Sequence, residues 1–195
     1  MLEVLFVCTG NICRSPLAEA FLADRSDRLL EGGVRVRSAG TWGRSGHPPT
    51  PETVAAGAER GLDIEGHGAT PLTAELVEAA DLVLGLTTEH RDEVVRMVSD
   101  ADARTFTLKE LAALVHALDS PPRSGEAHDA RARIAEAHAL RSGPRAPRVS
   151  DLDVSDPLGY GPDVYRAIAW EIEEGVDALV RGLFGARERA GAGEG

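Results

Sequence analysis

Cysteine, lysine and long apolar runs are all scarce in this 195-residue chain. Cys8 and Cys13 are its only cysteines. Two thiols exclude a disulfide framework and suit a reducing cytoplasm. Their spacing, with no further ligands in pattern, does not fit a tetrahedral zinc set, so no metal and no cofactor is expected. No run of about twenty apolar residues is present to span a bilayer. The opening Met-Leu-Glu-Val-Leu-Phe lacks a basic stretch and a cleavage site, which predicts a strand rather than a secretory signal. Lys109 is the sole lysine, and arginine carries nearly all the positive charge. The net charge of −11 argues against nucleic acid or an anionic membrane as a partner.

What is present fits one globular domain, because 43% of residues are apolar and can bury a sizeable core. Strand-like and helical patterns alternate, which predicts βαβ units and a parallel sheet. Strands are expected at 4–7, 34–37, 81–86 and 105–108. Helices are expected at 51–60 (closed by Gly61), 73–79, 89–98, 108–115 and 162–184. No repeat is visible. Residues 186–195 are polar and Gly-rich, an expected flexible tail beyond a domain of residues 1–185.

Residues 8–15 read Cys-Thr-Gly-Asn-Ile-Cys-Arg-Ser, directly after the apolar run 2–7. Ser15 and Pro16 then open a helical pattern with Leu17, Ala20, Phe21 and Leu22 on one face. The octet therefore lies where a strand hands over to a helix. There, free backbone N–H groups and the helix dipole favour an anion. Gly10 and Asn11 tolerate the positive φ of a tight turn, and successive N–H groups can converge into a nest. Amide dipoles and Arg14 favour the thiolate form of Cys8, the reactive form. Arg14 offers a planar fork matched to two phosphoryl oxygens. Ser15 can donate to the Cys8 sulfur when that sulfur leaves. The plainer alternative is a buried cysteine beside a surface arginine.

The stretch Val7-Cys8-Thr9-Gly10-Asn11-Ile12-Cys13-Arg14-Ser15-Pro16 resembles the active-site loop of the low-molecular-weight protein tyrosine phosphatases. The likeness covers most of residues 2–116 and 150–185. It implies a flavodoxin-like α/β fold, with a four-stranded parallel sheet of order 2-1-3-4 and helices on both faces. It implies a phosphatase in which Cys8 attacks phosphorus, Arg14 clamps the oxygens, and a distant aspartic acid protonates the leaving group. Loop residues Thr9 to Ser15 would hold the phosphate; a phosphorylated protein would be the substrate and inorganic phosphate a product. The family keeps its acid in an Asp-Pro pair before the last helix, and Asp156-Pro157 stands there. Asp151 and Asp153 are the nearest competitors. Ser38 and His67 match family positions that hydrogen-bond the loop, and with Asn11 and Ser15 they would hold it in a strained, preorganised shape. Cys13 matches a second thiol that the family often couples to the nucleophile, trapping oxidised Cys8 as a reversible disulfide.

The resemblance also frames the substrate. In the tyrosine phosphatases the position of Ile12 is apolar and packs on the phosphotyrosine ring; in the related bacterial protein-arginine phosphatases it is threonine. Ile12 therefore points to phosphotyrosine. The stretches 71–76, 80–84 and 106–110, and Thr87, look more like the arginine branch. Leu158 stands where the family usually has a walling aromatic, leaving Tyr160 or a partly buried Trp42 to supply the ring. Residues 117–150, rich in proline and poor in large apolar residues, read as an insertion with one short helix around 127–140 between mobile linkers. That segment is either a surface excursion or a lid near the substrate entrance. An arsenate reductase would need further thiols, and a non-catalytic phosphate-binding module would usually lack the nucleophile or the acid.

Overall fold

The computed structural model describes residues 1–26, 33–119, 122 and 127–185. The tail at 186–195 and part of the linkers around 117–126 lie outside these residues. The chain begins with β1 (Leu2–Cys8), α1 (Arg14–Ser26), β2 (Val34–Gly40), α2 (Pro51–Ala58) and α3 (Ala74–Ala79). It continues with β3 (Leu82–Gly85), α4 (Thr88–Met97), a 3₁₀ turn (Ser99–Arg104), β4 (Thr105–Thr107), α5 (Leu108–His116), α6 (Ala127–Arg141) and α7 (Pro162–Phe184). All pairings are parallel, in the order β2-β1-β3-β4. This is the expected flavodoxin-like arrangement. No helix among the described residues is long and apolar enough to cross a membrane.

Alternation along β1 divides the core. Leu2, Val4, Phe6 and Cys8 face a large cluster with α1, α5, α6 and α7, whereas Leu5 and Val7 face a smaller one with α3 and α4. Both faces are covered, as a parallel sheet requires. β1 has β2 on one side and β3 on the other, so the strand order reverses there and a crevice opens beyond its carboxyl end. Cys8 is the last residue of that strand.

Strand ends differ from the sequence pattern by one to three residues. β2 runs on to Gly40, so Ser38 lies within the sheet. β3 is shorter than expected, and β4 stops at Thr107, whose hydroxyl caps α5 with Glu110 reciprocating. Four helices start at a threonine cap: Thr50, Thr73, Thr87 and Thr107. In α1 the fully buried alanine is Ala18, while Ala20 is half-buried.

Within 117–150, the α6 helix is more integrated than the segment's composition predicts. α6 buries Ala130, Arg133, Ile134 and Ala137. Arginines anchor it: Arg131 donates to Met1 O and Asp81, Arg133 to Gly182 O and Val115 O, and Arg141 to Thr105 O. Arg141 also lies 4.0 Å above the Phe106 ring. Met1, Asp81 and Thr105 precede or begin β1, β3 and β4. α6 therefore sits at the end of the sheet opposite Cys8 and is not a lid over it. The helix itself is expected from the sequence; its packing is not, because small alanines allow the close approach and arginine head groups supply the bonds.

Candidate active site

The octet folds as a loop beneath the N-terminus of α1, and Asn11 governs its shape. Asn11 is fully buried with φ 55°, a left-handed conformation that asparagine accepts at some cost. Thr70 N–H donates to its Oδ1 at 2.7 Å, which fixes Nδ2 as the donor to Ser38 Oγ (2.7 Å) and Ser15 Oγ (2.9 Å). His67 Nε2–H donates to the Asn11 carbonyl at 3.0 Å. Ser38 and His67 thus both hydrogen-bond Asn11 of the loop.

Glu19 completes this support and was missed. Ser38 Oγ donates to Glu19 Oε2 at 2.5 Å, and His67 Nδ1 lies 3.9 Å from the same oxygen. It occupies the second turn of α1, which carries it back under the loop. An exposed-looking glutamate in a helical pattern gives no signal of this.

Cys8 is buried, with its sulfur 3.0 Å from Ser15 Oγ and 3.3 Å from the Asn11 amide, which donates to it. Since Ser15 Oγ accepts from Asn11 Nδ2, its own hydrogen is free for the sulfur. Among the described residues, the amides of Gly10, Ile12 and Cys13 donate to no protein acceptor. The loop is bracketed from β2's side, where Trp42 N–H donates to Thr9 O at 2.8 Å and Thr50 N–H to Ile12 O at 3.1 Å. Gly40 passes so close that a Cβ there would lie 2.6 Å from Thr9 O. Only glycine fits.

Arg14 is 4% exposed. Its Nη1 donates to Val154 O at 3.0 Å and its Nη2 to Thr9 Oγ1 at 3.3 Å. Nη2 also meets Asp156 Oδ2 at 2.6 Å. Arg14 Nε is buried and has no acceptor among the described residues. Asp156, half-exposed, is steadied by Leu158 N–H on its Oδ1 at 3.1 Å. Of the three aspartates considered, only Asp156 touches Arg14: Asp153 caps Thr88 N at 2.7 Å and Asp151 meets Lys109 at 2.9 Å.

His90 is the other residue that sequence reasoning passed over. It is buried, with Nε2 3.0 Å from Thr9 Oγ1 and Nδ1 2.8 Å from Thr87 Oγ1. Burial, and then the Arg14 charge, push its pKa from 6.5 down to about 4, against the smaller opposing pull of Asp156 and Asp153. The imidazole is thus neutral at ordinary pH. Cys13 is buried 3.9 Å from Thr50 Oγ1, and burial leads in raising its thiol pKa. Both cysteines are free thiols.

At the rim, Ile12 is half-buried against the core. Trp42 is 82% exposed rather than partly buried, because only its backbone is held by the loop. Leu158 and Tyr160 are exposed as well.

A loop of this shape with a buried thiol at its start, in this fold, has relatives. Residues 3–125 match the low molecular weight phosphotyrosine protein phosphatase family. A protein-arginine-phosphatase of Bacillus subtilis is 32% identical over 93% of the chain and 97% of that protein. The low molecular weight protein-tyrosine-phosphatase Etp of Escherichia coli is 38% identical over 53% of the chain and 67% of that protein. Among solved structures, YwlE arginine phosphatase from Geobacillus stearothermophilus superposes with a TM-score of 0.70 at 31% identity, covering 94% of this chain and 93% of that one. The chain belongs to the low molecular weight phosphotyrosine protein phosphatase family. The family match ends before Asp156, so Asp156 is placed at the site by its contact with Arg14 alone.

Proposed function

We propose that the protein hydrolyses phosphotyrosine in protein substrates through a phosphocysteine at Cys8. The observation that carries this is the buried, unpartnered Nε of Arg14 beside the Cys8 loop. A cationic N–H left without an acceptor costs about 1–3 kcal/mol or more, and a phosphoryl oxygen would meet it. With the free loop amides, that makes a cradle for three oxygens.

In the first step the Cys8 sulfur bonds to phosphorus as the bond to the phenolic oxygen breaks, and Asp156 gives that oxygen its proton. In the second, water bonds to phosphorus, Asp156 takes its proton, and the sulfur departs with Ser15 donating to it. The products are the dephosphorylated protein and inorganic phosphate. Asp156 must leave Arg14 to do this, and phosphate supplies the replacement acceptor. Two free thiols support a cytoplasmic setting, and the charge of −11 argues against nucleic acid as a partner.

Ile12 supports an aryl substrate, because its half-buried apolar side chain offers a surface to a ring. A second reading, phosphoarginine, is favoured by one observation. The Bacillus subtilis protein-arginine-phosphatase aligns along 93% of the chain, far enough to include residues 151–156, whereas the Etp match covers 53%. Parallel assays on phosphotyrosine and phosphoarginine peptides separate the two. The expected result is a phosphotyrosine preference that Ile12→Thr erodes, with Cys8→Ser inactive and Asp156→Ala slowed by about 10²–10⁴-fold. Full activity in Cys8→Ser would sink the mechanism, and a phosphoarginine preference with Ile12 in place would sink the substrate.

A further inference from the structure

The stretch 151–156 has neither helix nor strand, so its backbone groups need partners from elsewhere. Several independent bonds supply them. Val154 N–H donates to Leu86 O at 2.8 Å, Val154 O accepts from Arg14, and the Asp153 carboxylate sits on the first amide of α4. The remaining anchor is Lys109, near the start of α5. Its ammonium meets the Asp151 carboxylate at 2.9 Å, the Asp153 carbonyl at 2.6 Å and the Glu171 carboxylate of α7.

An ammonium has three donors, and here each has an acceptor. The exposed Asp151 pair is worth little by itself, because water screens it. The bond to the Asp153 carbonyl is different. It fixes the peptide immediately before Val154, and Val154 is the residue that Arg14 grips. Glu171 holds the ammonium from behind, and the Lys109 side chain is only 19% exposed. Burial works against the charge, but the Glu171 and Asp151 carboxylates outweigh it and keep the lysine's pKa above its ordinary value. The charge persists, and so does the clamp.

We propose that Lys109 is a positioning residue for the proton donor, fixing residues 151–154 so that the Asp156 carboxyl meets the oxygen of the departing group. This rests on the reading of Asp156 as the acid. A lysine that only stabilised the fold would affect every substrate alike. A lysine that positions an acid matters only where the leaving group needs a proton. A basic phenolate, as from phenyl phosphate, needs it; 2,4-dinitrophenolate departs without it.

The test is kcat/KM across aryl phosphates of graded leaving-group basicity, for wild type, Lys109→Met, Lys109→Arg and Asp156→Ala. Lys109→Met is expected to lose about tenfold or more on phenyl phosphate and less than about twofold on 2,4-dinitrophenyl phosphate, a fraction of the whole general-acid effect. Inhibition by inorganic phosphate should be unchanged, and Lys109→Arg should recover most of the loss. If Lys109→Met is not recovered folded, Glu171→Gln should show the same selective loss in smaller measure. An equal loss on all substrates, or none on phenyl phosphate, would overturn the positioning role while a selective loss in Asp156→Ala left the acid standing. An Asp156→Ala variant with no leaving-group dependence would instead overturn the acid itself.

Discussion

Asn11 sits at φ 55° with both ends of its amide and its carbonyl occupied, so the loop's strain is held by bonds to four separate residues. Cys8, Asn11, Arg14 and Ser15 are legible in the sequence because they fall within eight residues between a strand and a helix. His90 and Glu19 are not. His90 reaches Thr9 from 81 positions away, and a histidine in a polar helix start looks like any surface residue. Its depressed pKa has a consequence for pH. The unfolded chain binds the proton more readily, so His90's contribution is complete above pH 6.5 and is lost as the pH falls toward 4. The charged groups facing it are Arg14, Asp156 and Asp153. Chemical denaturation from about pH 7 to about pH 4 should show wild type losing up to roughly 3 kcal/mol more than His90→Asn. Equal slopes would refute the assignment.

At the level of elements, the strands and most helices follow from short apolar runs alternating with helical patterns. The stretch 151–156 does not, because its order comes from Lys109, Thr88 and Arg14 rather than from any periodicity of its own. α6 is the clearest case of structure outrunning pattern. Its Ile134 is 4% exposed within the main core, yet the helix lies at the far end of the sheet from Cys8. Ile134→Ala should therefore cost about 2–4 kcal/mol in urea unfolding followed by circular dichroism. Its kcat and KM should be those of wild type. A change in kcat at unchanged fold would mean that α6 communicates with the site.

On the scale of the whole molecule, a chain of net charge −11 keeps one buried guanidinium N–H, Arg14 Nε, without an acceptor among the described residues and beside the Cys8 loop. The sheet order and the crevice beyond β1 are what bring Asp156, 142 positions distant, to that point. No local pattern could reveal that meeting; only the family resemblance suggested it. The two tryptophans are distributed unusually for so well packed a core. Trp42 is 82% exposed beside the loop and Trp170 is 59% exposed on α7, so the native indoles already face water. Their emission should barely redshift when the protein unfolds. Trp42 instead becomes an optical reporter of occupancy. In a Trp170→Phe, Cys8→Ser background, titration with a phosphotyrosine peptide should change its intensity saturably, giving Kd without turnover, and a flat titration at saturating peptide would show that the bound ring stays clear of this rim.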